Sequence, residues 1–324
     1  MKKGMFIRDI SKKGGLEVDG LFIVSKKNIF TDKNNKKYMS LELKDKTGNI
    51  ECRVWENDNN NVANFNKLFE KDDLVNIQGK TNLYQGKLQL NIIDINKLEE
   101  GVSIENIGLF FPEAEPGVDS LKKGFFQLLN EIEEPHIAAF FTSLIRRRDV
   151  LEKFFLFPAS IGVHHVCLGG LLQHSLSMAN MGKHVADITG ADKDIIIAGS
   201  LLHDIGKVEE LCVKGGFQYS DRGRLMGHIA LGSIMFQELV KEVEGFPDYI
   251  SDILAHIIIS HHGIEEWGSP KKPMALEALI VHYLDDLDAK VMGVKEHMKT
   301  NMTDDKWTEY HRLYESRFYK LPER

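Results

Sequence analysis

The sequence predicts a small β domain followed by a larger all-α domain, and three observations carry that division. Residues 1–98 alternate apolar and polar side chains with period two between turn signals. From Ser120 onward, apolar residues recur at the spacing of amphipathic helices. Between them, residues 99–119, with Pro112, Pro116 and Gly117, read as a linker. At 324 residues the chain can bury a core in each part. The expected domains are therefore 1–98 and 120–324.

Residues 16–24 form a β-rich run, and 38–43 alternate strictly. Asp45-Lys46-Thr47-Gly48 is a turn signal, after which 50–55 alternate again. A helical stretch over 62–70 precedes strands at 74–79 and 88–92, with a Tyr84-Gln85-Gly86-Lys87 turn between them. Strands in this order, with a short helix between the third and fourth, match an OB-fold barrel, although other small Greek-key barrels share much of the pattern. Helices are expected over 121–133, 136–147, 170–189, 193–203, 226–243, 249–262, 274–291 and 305–318. Asp192 can cap the fourth, and Pro273 suits the first turn of the seventh.

Composition narrows the class. Hydrophobic residues make up 43% and charged residues 27%, as in a globular protein. No stretch approaches about 18 uncharged apolar residues, so no transmembrane helix is expected. The charged N-terminus has no apolar stretch behind it, so no signal peptide is expected either. Cys52, Cys167 and Cys212 lack CxxC spacing, which excludes a zinc–cysteine module and a disulfide scaffold. A cytoplasmic location follows as the expectation. The net charge of −7 is unevenly divided: residues 1–98 carry 18 Lys+Arg against 13 Asp+Glu, and the remainder 23 against 35. A basic first segment suits a polyanionic partner, though chance surface charge explains it equally well.

The chemistry lies in the helical part. All 13 histidines follow residue 135. His174 shares a helix face with Leu171, Met178 and Met181; His261 shares one with Leu254, Ile257 and Ile258; and Asp285 one with Ala278, Ala289 and Met292. A lone histidine on such a face is more often a satisfied core residue. Several helices each turning a His or Asp inward point instead to a metal centre, because buried ionisable groups are costly unless paired or metal-bound. The sharpest motif is Leu202-His203-Asp204-Ile205-Gly206-Lys207. Its adjacent imidazole and carboxylate can face one or two cations, Gly206 allows close backbone approach, and Lys207 can point at a substrate phosphate. With Gly227-His228, His261-His262 and an Asp-bearing helix, the order is H…HD…H…H…D.

That order resembles the HD superfamily of metal-dependent phosphohydrolases. Longer stretches sharpen the likeness, including Phe157-Pro158-Ala159-Ser160 with His164-His165, Gly169-Gly170-Leu171-Leu172-Gln173-His174, and Leu225-Met226-Gly227-His228-Ile229. Ser260-His261-His262-Gly263, His282-Tyr283-Leu284-Asp285-Asp286-Leu287-Asp288-Ala289-Lys290 and Arg317-Phe318-Tyr319-Lys320 extend it. With the OB-like domain, the whole chain is similar to the YhaM-type 3′→5′ exoribonucleases. The resemblance implies metal ligands His174, His203, Asp204, His228, His261 and Asp285, and it selects Asp285 over Asp288, which spacing alone does not. His262 is left to complete a ligand sphere or to contact substrate. His164 and His165 are assigned either to the scissile phosphate or to a supporting role. Asp204, Lys207, His262 and His165 are thus the catalytic candidates. Mixed imidazole and carboxylate ligation suits Mn²⁺ foremost, or Fe²⁺, Co²⁺, Ni²⁺ or Zn²⁺, over Mg²⁺. Two cations about 3.5–4 Å apart would polarise the phosphoryl oxygens and stabilise the leaving 3′-oxygen.

The implied activity is hydrolysis of single-stranded RNA, or of single-stranded DNA, from the 3′ end to nucleoside 5′-monophosphates. OB folds hold single strands by base stacking and basic grooves. The candidates for stacking are Trp55, Tyr38, Phe30 and Tyr84, and for phosphates Lys36, Lys37, Arg53 and Lys87; for each aromatic a place in the barrel interior is the competing reading. Two alternatives are an HD phosphohydrolase of small or cyclic nucleotides, and a nucleic-acid-binding regulator with a vestigial site. A homo-oligomer is a further possibility, with Leu109-Phe110-Phe111 as an interface or as packing within the domain.

Overall fold

The computed structural model describes residues 2–10, 14–56, 62–161, 167–213, 215–300 and 306–322. The chain divides into two compact units, one of residues 1–112 with 212–218, the other of residues 113–211 with 219–324.

The first unit is a closed barrel. Its strands are β1 (Glu17–Thr31), β2 (Lys37–Asp45), β3 (Gly48–Trp55), β4 (Leu74–Tyr84) and β5 (Lys87–Lys97), with α1 (Val62–Leu68) between β3 and β4. They close in the order β1-β2-β3-β5-β4. β1 serves two neighbours: its first half pairs with β4, and its second half, from Ile23, pairs with β2 across an irregularity at Val24/Lys26. A bulge there bends the strand around the barrel. The parallel pairing of Cys52 and Arg53 with Leu90 and Asn91 seals it. The alternation read from sequence is the inside–outside alternation: Met39, Leu41 and Leu43 of β2 and Ile50, Cys52 and Val54 of β3 are buried with Phe22, Val24, Ile77 and Ile95. Ile104–Leu109 is a 3-10 helix, and Phe110 and Phe111 after it are buried, so these rings belong to internal packing.

The second unit is helical. Its elements are α2 (Val118–Leu129), α3 (Pro135–Arg146), α4 (Arg148–Leu156), α5 (Gly170–Thr189), α6 (Lys193–Leu202), α7 (Lys207–Glu210), α8 (Asp221–Val240), α9 (Asp248–Ser260) and α10 (Leu276–Thr300). Asp192 accepts from Ile195 N–H and caps α6 as expected. Phe125 sits among Phe141, Phe154 and Phe155 with edge or tilted contacts. The buried faces of α5, α6, α9 and α10 contribute to one core with this aromatic cluster. Among the described residues, no helix is long and apolar enough to cross a membrane.

Three expectations need correction. The helix over 305–318 is absent from 306–318, where bridges Trp307↔Tyr319 and His311↔Ser316 form instead. Thr308 exchanges hydrogen bonds with Phe318, and Trp307 packs edge-on against Tyr319, so cross-strand pairing outweighs the helical spacing. Helix α4 was not anticipated; it follows a break at Arg147, whose ψ of 75° ends α3. Two short strands, β6 (Leu211–Val213) and β7 (Phe217–Tyr219), interrupt the helices and are too brief to show a period.

Phe125 is 0% exposed, so truncating it would leave a cavity in the apolar core. Phe125→Ala should cost about 3–5 kcal/mol, read as a lowered urea midpoint by circular dichroism. A midpoint unchanged from that of the parent would place the ring outside the stabilising core.

Candidate metal centre

Five helical segments deliver the site. His174 projects from the buried face of α5, with Leu171 and Met178. His203 follows the last residue of α6 as its cap, and Asp204 lies in the turn leading to α7. Gly206 is needed there because a Cβ would lie 2.0 Å from the His228 carbonyl oxygen. His228 enters at a break in α8, where Gly227 takes φ 72°, a conformation that glycine adopts without strain. His261 caps α9, His262 follows it, and Asp285 and Asp288 lie on α10.

Asp204 is the hub. Its Oδ1 lies 3.4 Å from His228 Nε2 and 3.7 Å from His261 Nε2, while its Oδ2 lies 3.4 Å from His203 Nε2. Lys207 Nζ donates to the same Oδ2 at 2.5 Å. His174 Nε2 is 3.1 Å from Asp285 Oδ1 and 3.3 Å from His203 Nε2. The ligand-type atoms form two groups: His174, His203 and Asp285 in one, His228, His261 and His262 in the other. Their imidazoles are oriented through Nδ1. His203 and His261 bond the carbonyls of Ser200 and Ile258, His262 that of Trp267, His174 the carboxylate of Asp288, and His228 that of Glu210.

The donor set fits cations. Asp204 Oδ1, His228 Nε2 and His261 Nε2 are buried without hydrogen-bond partners, although they face one another. Leaving such atoms unsatisfied costs about 1–3 kcal/mol each, which a shared cation would offset. The protonation states of Asp204, Asp285, His261 and His262 agree. Burial opposes ionisation of Asp204, but Lys207, His203 and His228 outweigh it and hold the carboxyl well below the usual range. Asp285 is also held low, with burial overcome by the His174 hydrogen bond and by His203. Burial drives His261 well below the ordinary imidazole range, and it lowers His262 too, so both offer neutral nitrogens. For Lys207, burial is outweighed by Asp204, and the ammonium is kept charged.

A cavity of about 200 Å³ opens onto the site, lined by Asp204, Lys207, His262, Trp267 and Asp285 among others. A second, of about 210 Å³, shares Lys207 and His262 and reaches Ser160 and Tyr219. The structure thus brings His174, His203, Asp204, Lys207, His228, His261, His262 and Asp285 together; His164 and His165 lie outside the described residues. Sequence reasoning passed over Glu210, and it weighed Asp288 only as a rival to Asp285.

On the barrel, cross-strand register places Phe30 opposite Tyr38 and Tyr38 opposite Trp55. Their rings form a row with centroids 5.7 and 5.0 Å apart, Phe30 and Trp55 exposed and Tyr38 half-buried between them. Lys36 and Lys37 are exposed beside it. The Arg53 guanidinium is engaged by Ser40 Oγ, its neighbour's carbonyl and Glu51. Tyr84 and Lys87 stand exposed at the β4–β5 turn, apart from the row.

Two family models match the chain: an OB-fold nucleic acid binding domain over residues 22–98 and an HD domain over residues 171–290. The 3′-5′ exoribonuclease YhaM of Bacillus subtilis (strain 168) is 32% identical over 324 residues, covering 99% of this chain and 98% of its own. The protein of the same name from Bacillus velezensis is 33% identical over 297 residues, 90% of each chain. Among solved structures, the second OB-fold domain of replication protein A from Methanococcus maripaludis matches 31% of this chain and 98% of its own, at 23% identity and a TM-score of 0.24.

His174 bridges two carboxylates and is pushed up to about 9: burial would lower it, but hydrogen bonds to Asp285 and Asp288 prevail over the ordinary 6.5. A group raised on folding contributes stability that is full below its unfolded pKa and lost as pH rises through the folded one. With cations chelated, His174 should therefore contribute less as pH rises from about 6.5 to about 9. Urea midpoints across that window should fall more steeply for the parent than for His174→Gln. Parallel profiles would remove His174 as the bridging cation.

Proposed function

The chain belongs to the YhaM family of 3′-5′ exoribonucleases, and from that premise we propose that it hydrolyses single-stranded RNA stepwise to nucleoside 5′-monophosphates, with single-stranded DNA as a second substrate class. The activity is metal-dependent, and the HD domain is its seat. The observation that carries the reading is the single Asp204 carboxylate turned toward both groups of ligand-type atoms. In this reading His174, His203, Asp204, His228, His261 and Asp285 hold two divalent cations, with Mn²⁺ the first candidate. When bound, the cations supply Lewis acidity toward the phosphoryl group and charge stabilisation for the departing 3′-oxygen.

The chain's own groups bind and orient. Lys207 stays protonated against Asp204 and brings positive charge to the cavity where the phosphate would sit. His262, anchored through Nδ1 to Trp267, has its other nitrogen available to complete a ligand sphere or to contact substrate. Trp267 lines the cavity and is 55% exposed. Residues 1–98 act as the strand-binding domain and 120–324 as the hydrolytic one, joined through 99–119, in the cytoplasm. The Phe30–Tyr38–Trp55 row offers consecutive faces to unpaired bases, with Lys36 and Lys37 for phosphates. A separate strand-binding surface favours a polynucleotide over a mononucleotide substrate.

With 5′-labelled single-stranded RNA and Mn²⁺, the expected product is a ladder shortening from the 3′ end, abolished by chelator. Asp204→Asn should lose hydrolysis while keeping its fold and RNA affinity; retained turnover would sink the assignment. Trp55→Ala should weaken RNA binding by about 1–3 kcal/mol, roughly 5- to 150-fold, with a comparable steep salt dependence. Unchanged affinity would move the strand to another surface.

A further inference from the structure

The imidazoles of the two ligand groups are held at Nδ1 by unlike partners, and the pattern repeats. In the first group His203 rests on the Ser200 carbonyl at 2.9 Å, whereas His174 rests on the Asp288 carboxylate at 2.7 Å. In the second, His261 rests on the Ile258 carbonyl at 2.8 Å, whereas His228 rests on the Glu210 carboxylate at 3.2 Å. Each group thus contains one carboxylate-backed imidazole.

We infer that Asp288 and Glu210 are positioning residues, one for each cation, and that they set the affinities of the two cations separately. The inference rests on the two-cation reading above. A carboxylate behind an imidazole fixes the ring and its tautomer and makes the opposite nitrogen a stronger donor, and losing such a partner typically costs roughly 10–100-fold in metal affinity.

Both side chains are placed for this. Asp288 is 5% exposed, and each of its oxygens is used: Oδ2 toward His174, Oδ1 accepting from Ser177 Oγ at 2.6 Å. It therefore backs His174, while Asp285 of the same helix faces the ligand side of that ring at 3.1 Å. Glu210 is 8% exposed, and its Oε1 also accepts the His228 backbone N–H at 2.9 Å. It holds His228 by ring and backbone at the point where Gly227 breaks α8. The Glu210 backbone is itself confined, since a Cβ on Gly223 would lie 2.1 Å from its carbonyl oxygen. Buried carboxylates are costly unless their hydrogen bonds are satisfied, and each of these two directs an oxygen at one histidine. The two groups share no imidazole, so each effect falls mainly on its own cation, with Asp204 facing both.

The test is Mn²⁺ uptake by metal-stripped full-length protein, followed by calorimetry and by the loss of the free-ion paramagnetic resonance signal. The parent should take up two Mn²⁺. Asp288→Asn should weaken one of them roughly 10–100-fold and leave the other, Glu210→Gln should weaken the other, and the double variant both. Ser177→Ala, which removes only the hydrogen bond to Asp288 Oδ1, should weaken the same Mn²⁺ as Asp288→Asn by a smaller factor. It carries that arm if Asp288→Asn does not fold, and Glu210→Asp does so for the other. Unchanged uptake, equal weakening of both ions by either single variant, or a double variant no weaker than a single one would overturn the inference. A parent that takes up no Mn²⁺ would overturn the two-cation reading itself.

Discussion

The site in the helical unit depends on keeping one buried carboxylate ionised. Asp204 is 2% exposed and touches His203, His228, His261 and Lys207. An isolated ionised carboxylate in such a place would be driven to take up a proton. It does not here, because Lys207 lies against one oxygen and imidazole nitrogens face both. Each neighbour must then be fixed, since a ring that rotated away would leave its partner uncompensated. The Nδ1 anchors follow from that constraint. The cluster of aromatic rings around Phe125 belongs to the same core as the buried face of α5, which carries His174.

The backbone is shaped to the same end. His203 and Asp204 can sit side by side because α6 stops at Leu202, and α7 begins only after Gly206 has passed close to the His228 carbonyl. His228 in turn depends on the break at Gly227 rather than on a continuous α8. Three imidazoles, His203, His261 and His228, therefore come from helix ends or breaks, where the chain is no longer bound to helical periodicity. His174 and Asp285 come from helix interiors, where packing of α5 against α10 sets their distance.

That difference explains what could be read from sequence. Inward His174 and Asp285 were legible because they occupy apolar stripes of long amphipathic helices. The barrel was legible because its strands alternate and its turns carry Gly48 and Gly86. Glu210 was not, because its role depends on a hydrogen bond to a residue eighteen positions away across a helix break, and its neighbour Glu209 has the same chemistry. Asp285 and Asp288 fall one helical turn apart, so spacing alone leaves them interchangeable; their roles separate only where the two oxygens of Asp288 turn to His174 and Ser177. Residues 306–318 are not helical because an aromatic-rich stretch at helical spacing also suits cross-strand pairing, and the Thr308–Phe318 hydrogen bonds with the Trp307–Tyr319 contact decide between them.

The charge balance of the chain then takes on a mechanical sense. The helical part is acidic, and the cavity wall includes Asp204, Asp285 and Asp286. Alone, that wall repels a phosphodiester over roughly a Debye length, about 8 Å at physiological salt. In the two-cation reading Asp204 and Asp285 would hold cations there, and bound cations would become the largest local charges, reversing the sign of the field that a phosphate meets. Cation occupancy would then govern the approach of the scissile phosphate as well as bond cleavage. A basic, aromatic barrel surface suits the complementary task, because stacking and phosphate contacts there need no cation and read no sequence.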